Sequence, residues 1–174
     1  MKTLNFLLIF FSFFGFAQKI EWNNQYKLKS QDFNGEIPKV ESEKSAGSMI
    51  TLEYKILSTS IWTGKIKVKI YPTFDTTISW IKPQHISEKL LNHEQKHFDI
   101  AQIFASKLQK IVDKSIKNTK DFNEIFQRLY DENYKEYEDF QIKYDLETEH
   151  GTILETQGKY DNLISKMLEN CNSR

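Results

Sequence analysis

Between Lys19 and about Pro83 the apolar residues fall in short runs with a period of two. Met49 to Leu57 and Lys65 to Tyr71 concentrate β-branched and aromatic residues, and Gly, Asn, Ser and Pro punctuate them. In Lys65 to Tyr71 lysines alternate strictly with apolar residues, which predicts a half-buried strand of an antiparallel sheet whose lysines discourage edge-to-edge pairing. Asp32-Phe33-Asn34-Gly35 reads as a turn, and Glu41 to Ser48, rich in Ser, Lys and Gly, as a loop. After Pro83 the period becomes helical. Ser87 is the natural N-cap of a helix reaching about Lys117, with Leu90, Ala101, Phe104, Leu108 and Ile111 as its apolar stripe. A second helix is predicted from Asp121, where Glu124 would complete a capping box, to about Thr148. Its stripe is Phe122, Ile125, Phe126, Leu129, Tyr137, Phe140 and Tyr144, and Gly151 is its stop. A third helix covers about Thr152 to Leu168. The predicted class is α+β: an N-terminal antiparallel sheet followed by a helical half.

Length and composition narrow this picture. A chain of 174 residues fits one domain with a sizeable core, and thirteen Phe and eight Tyr suit a packed fold. Residues 1–17 read as a signal peptide: Lys2 supplies the positive end, Leu4 to Phe16 the apolar stretch, and Ala17 before Gln18 the cleavage point. That predicts a secreted or periplasmic protein whose single domain is 18–174, without stable membrane insertion after cleavage. Basic and acidic residues balance at twenty-four each, which gives no sign of a nucleic acid or an anionic membrane as partner. The single cysteine, Cys171, cannot form an internal disulfide.

The stripe of the first helix is interrupted at Glu94 and His97, within the pentapeptide His93-Glu94-Gln95-Lys96-His97. Random placement of this composition produces H-E-x-x-H in about one chain in a hundred. Two histidines four apart share a helix face, so both imidazoles can converge on one ion, and Glu94 is set to act as general base toward the attacking water. The spacing therefore predicts a zinc site with His93 and His97 as ligands and Glu94 as the catalytic residue. An unpaired buried glutamate costs several kcal/mol, so a compensating group is expected beside Glu94.

A catalytic zinc has three protein ligands and an open position. His150 can return to the first helix if the helices pack antiparallel, and Asp145, Glu147 and Glu149 are rival donors. His150 also reads as a cap near a helix C-terminus. His85 lies in the loop before the first helix, as a loop residue or at the site rim.

The blocks Asp32-Phe33-Asn34-Gly35, Ser79-Trp80-Ile81-Lys82, His93 to Ala101 (HEQKHFDIA), Tyr144 to Gly151 (YDLETEHG) and Gln157 together resemble a family of secreted bacterial H-E-x-x-H proteins. That family, a domain of unknown function, is placed by similarity among gluzincin-like zinc metallopeptidases. The resemblance implies a zincin-like fold and a Zn2+ site of His93 and His97 with Glu94 as base and a further donor from the Tyr144 block. On that basis His150 is the preferred third ligand. Asp145 is the expected partner orienting an imidazole, and Asp99 has a similar role or is a solvated helix aspartate. Two departures stand out: the usual gluzincin glutamate ligand is not evident, and Tyr160 replaces a tryptophan of the family pattern.

The function expected is a secreted zinc-dependent peptidase acting on a peptide or protein laid along a sheet edge. The alternative is an exported, non-catalytic zinc-binding or interaction protein.

Overall fold

The computed structural model describes residues 19–39 and 44–172, so the signal-peptide expectation for residues 1–17 lies outside the described residues. The elements are β1 (Lys19–Glu21), β2 (Ala46–Gly47), β3 (Ile50–Thr59), β4 (Ile66–Asp75), β5 (Trp80–Ile81), α1 (Glu88–Ser115), α2 (Thr119–Thr148) and α3 (Leu154–Asn172). This is the α+β arrangement that the change of period predicts. The larger sheet is antiparallel in the order β1-β4-β3, and β2 pairs with β5 in a separate two-stranded ribbon. No helix among the described residues is long and apolar enough to cross a membrane.

β4 keeps the alternation expected of it: Val68 and Ile70 are buried while Lys65 and Lys67 face solvent. The pattern fades from Pro72 to Asp75, all buried, because β1 pairs with Thr73 to Asp75 and covers that end. The uncovered half of β4 has an open edge, and Gln109 of α1 shields part of it. Its amide accepts from Ile70 N–H at 2.8 Å and donates to Val68 O at 3.1 Å. A helix side chain thus replaces the missing neighbour strand.

α1 is the central element, with the sheet on one side and α2 and α3 on the other. It is consequently buried around most of its girth from His93 to Ala105, and the one-stripe reading understates this. Ala101, Phe104 and Leu108 enter the main core, and Val112 fills the place expected of Ile111, which is only half-buried. A second cluster of Leu28, Phe33, Phe74, Ile81 and Phe98 fixes the N-terminal segment to the opposite face. Ser87 caps α1 as expected, accepting from Leu90 N–H at 3.2 Å. α2 begins earlier than predicted because Asn118 is its N-cap. Asn118 Oδ1 accepts from Asp121 N–H at 2.9 Å, and Asp121 Oδ2 accepts from Lys117 N–H at 2.8 Å. This reciprocal pair displaces the capping box expected at Asp121 and Glu124.

Asp99 is neither solvated nor in contact with an imidazole. It is fully buried; Oδ1 accepts from Trp22 Nε1 at 3.0 Å and Gln95 Nε2 at 2.8 Å, and Oδ2 from the buried Lys96 ammonium at 3.2 Å. Gln95 Oε1 in turn accepts from Leu28 N–H at 2.8 Å, so this network holds the N-terminal segment to α1. Asp99→Ala leaves Lys96 as an unpaired buried charge, and a loss of about 3–5 kcal/mol is expected in urea unfolding. A loss below about 1 kcal/mol would show that Lys96 finds water instead.

Candidate metal centre

His93, Glu94 and His97 lie in the second and third turns of α1, facing the C-terminal half of α2. The facing residues Gln141, Tyr144, Asp145 and Thr148 are spaced i, i+3, i+4, i+7 and share one face of α2. Asp145 Oδ1 lies 3.1 Å from His93 Nε2 and 2.9 Å from His97 Nε2, and the two Nε2 atoms are 3.2 Å apart. The structure therefore brings the two histidines and Asp145 together in a nearly equilateral triangle of donor atoms.

The tautomers are set by two glutamines. Gln157 Nε2 donates to the Asp161 carboxylate at 2.7 Å, which turns its Oε1 toward His93 Nδ1 at 3.1 Å. Gln141 Nε2 donates to the His97 carbonyl at 3.0 Å, which turns its Oε1 toward His97 Nδ1 at 2.5 Å. Each Nδ1 must carry a proton to meet a carbonyl oxygen, so each neutral ring presents an Nε2 lone pair to the triangle. Two imidazole lone pairs and a carboxylate oxygen at these separations call for a cation among them, a proton or a metal ion, and a metal ion fits that donor set. With protons as the only cations, the same geometry shows in the titration behaviour. Burial works against the Asp145 anion, but the two imidazoles hold its carboxyl well below the usual carboxylate range. Burial also opposes the His97 imidazolium, yet Asp145 and Glu94 outweigh it and raise His97 above the ordinary histidine value.

His93, Asp145 and His150 each offer a donor atom within 4.8 Å of one another, which makes this group able to hold a metal ion. His150 follows the left-handed C-cap Glu149, is itself at φ 54°, and is exposed, with Nδ1 3.5 Å from Asp145 Oδ1. The family resemblance implies His150 as ligand with Asp145 behind it; in the structure Asp145 is the group touching both α1 imidazoles. Glu147 accepts from Tyr160 Oη at 2.8 Å, and Glu149 lies on the wall of the cleft. His85 sits in a 3-10 turn with Nδ1 2.7 Å from Ser45 Oγ, away from the triangle.

Three supporting groups are not singled out by sequence reasoning. Tyr144, which the sequence places in an apolar stripe and at the head of the YDLETEHG block but gives no role at the site, stacks on His93 at 4.8 Å and meets His97 edge-on at 4.9 Å. Gln141 has no motif, and its signal is its place in the polar seam of α2. Ser48 donates its hydroxyl to Glu94 Oε2 at 2.5 Å and is the compensating partner of that buried carboxylate. Gly151 does more than end α2: at φ 82° it lies over the His93 ring, where a Cβ would come within 2.8 Å of Cγ. Gly151→Ala combines left-handed strain with displacement of the His93 ring, and a stability loss of at least about 1–3 kcal/mol is expected in thermal unfolding, with reduced metal content if the centre is loaded. Unchanged values in both would show that the ring has room to move.

The centre opens into a cleft of 1290 Å³ between α1, α2 and the 44–50 segment, with Glu94, Ile50, Tyr134, Tyr137 and Glu138 on its walls. β2 lies at its side. Lys82 N–H bonds Ser45 O at 2.9 Å and Ala46 pairs with Ile81, so Ala46 is in a non-hydrogen-bonded pair and turns its own N–H and C=O away from β5. The predicted loop thus contains a short strand whose other edge has no partner strand among the described residues and adjoins the cleft.

Residues 67–151 match the model of a family described as a bacterial protein of unknown function (DUF922), a span that includes His93, Glu94, His97, Asp145 and His150. No curated protein and no solved structure matches the chain.

Proposed function

We propose that the protein is a zinc-dependent peptidase of zincin-like type, exported by the apolar N-terminal stretch, with His93, His97 and Asp145 holding the metal and Glu94 as general base. The observation that carries this reading is the convergence of two tautomer-fixed imidazoles and a carboxylate beside Glu94, at the floor of a cleft with a free strand edge. Tetrahedral zinc with bonds of 2.0–2.2 Å needs donors about 3.3 Å apart, close to the separations in the triangle. When bound, zinc supplies a Lewis acid that polarises the scissile carbonyl and brings a water toward neutral pKa.

The rest is done by the chain. The Ala46 N–H and C=O are placed to pair with an extended peptide backbone, which positions a substrate in the cleft as an added strand. Glu94 takes a proton from the water as its oxygen bonds to the carbonyl carbon, and delivers it to the departing amine as the C–N bond breaks. Ser48 holds one Glu94 oxygen and leaves the other for that transfer.

The test is cleavage of a denatured-protein substrate by the purified protein with zinc and with a chelator. Zinc-dependent cleavage is expected; equal activity in both overturns the reading. His150 favours a second reading, because its reach toward Asp145 and His93 could supply a fourth ligand to a closed, non-catalytic zinc site. That reading requires one zinc per chain, four protein donors by X-ray absorption and no cleavage.

A further inference from the structure

The turn joining β3 to β4 carries the two most exposed large apolar side chains of the described residues: Ile61 at 92 % and Trp62 at 91 %. Single exposed apolar residues need no explanation, but adjacent ones on a fixed support differ. Ser60 N–H bonds Lys65 O at 2.9 Å and Gly64 N–H bonds Ser60 O at 2.7 Å, and Gly64 adopts φ 67° to close the turn. Its carbonyl accepts from Thr119 N–H at 2.9 Å, and Lys65 bridges Asn118, which pins the tip to the α1–α2 connection. The projection is therefore built into the fold.

The surroundings are basic. Lys65, Lys67 and Lys117 line a shallow groove beside the tip together with Asp113, and Lys114 lies in the last turn of α1, just before Lys117. Among the described residues Lys65, Lys67 and Lys114 form no ion pair, and Lys117 Nζ donates to the Asp113 carbonyl. Of the acidic groups nearby, Asp121 accepts from a backbone N–H, and exposed Glu124 faces Lys120 at 3.8 Å. The overall charge balance hides this local excess. Tryptophan with an aliphatic neighbour suits the headgroup layer of a bilayer, and lysines beside them suit lipid phosphates.

We propose that this tip is a peripheral anchor for an anionic lipid surface, with Ile61 and Trp62 entering the headgroup layer and Lys65, Lys67 and Lys117 facing its phosphates. It does not depend on the peptidase reading. The anchor and the metal centre lie near opposite ends of α1, roughly 30 Å apart at 1.5 Å per residue, so docking leaves the cleft accessible.

The test uses the full chain and vesicles of phosphatidylcholine containing one quarter phosphatidylglycerol, some with brominated acyl chains. The Leu4 to Phe16 stretch can itself meet lipid, so the readout is confined to the tip. Emission quenching by brominated lipid is compared between the wild-type chain and Trp62→Phe, and the difference is the signal of Trp62 alone. A clear difference is expected, reduced about five-fold in lipid-concentration dependence by Lys67→Ser and weakened by added salt. The same quenching in wild type and Trp62→Phe, or an equal Trp62 signal with vesicles of phosphatidylcholine alone, overturns the proposal. So does an unchanged Trp62 signal in Lys65→Ser/Lys67→Ser when its thermal unfolding matches that of the wild type. A tip built for a protein partner or a second copy would leave Trp62 unquenched.

Discussion

Glu94→Gln is expected to reduce peptide hydrolysis by about 10²–10⁴-fold, the range for loss of a general base, while zinc still binds at one ion per chain. The two shapes are nearly the same, and the amide oxygen can still accept from Ser48, so the cleft wall is retained. The amide cannot take the proton from water. Full activity in the variant with metal retained would remove Glu94 from the chemistry. Loss of the metal as well would mean that the Glu94 carboxylate contributes to holding it.

The second large effect concerns the donor from α2. Asp145→Ala removes the carboxylate that touches both imidazoles, and zinc affinity is expected to fall more than about a hundred-fold, beyond the loss typical of groups that only orient a ligand. His150→Ala, at an exposed position farther from the triangle, is expected to change affinity less than about ten-fold. Competition with a chromogenic chelator measures both. The reverse ranking would make His150 the metal donor and Asp145 its support. Gln141→Leu and Gln157→Leu provide a finer check, because each frees an imidazole to adopt either tautomer; reductions of about 10–100-fold in affinity are expected.

His93, Glu94 and His97 are legible in the sequence because their relation is local: four residues on a helix fix which side chains share a face. The change of period after Pro83 likewise marks where sheet gives way to helix. The arrangement of α2 against α1 is not local; residue types leave His150 and the carboxylates as rival donors, and only the family resemblance favours His150 over Asp145. The seam Gln141, Tyr144, Asp145 and Thr148 does carry a sequence signal, a polar row beside an aromatic stripe, but its meaning needs the partner helix. β2 escapes a pattern search because two residues in a Ser, Lys and Gly-rich stretch become a strand only through pairing with Trp80 and Ile81. Asp99 reads as an ordinary helix aspartate until Trp22 and Lys96 are found beside it.

The centre draws its donors from two helices, with His93 and Asp145 52 positions apart along the chain. An unfolded polypeptide can offer an ion little more than a pair of neighbouring imidazoles, so high-affinity capture has to wait until the helical pair has assembled. On the proposed zinc reading the ion would act as a clasp, and the melting temperature should rise with free zinc concentration as for any ligand that prefers the native state. If the chain is exported as proposed, such a centre would be loaded at the destination, leaving the metal supply there to govern how much of the protein is competent.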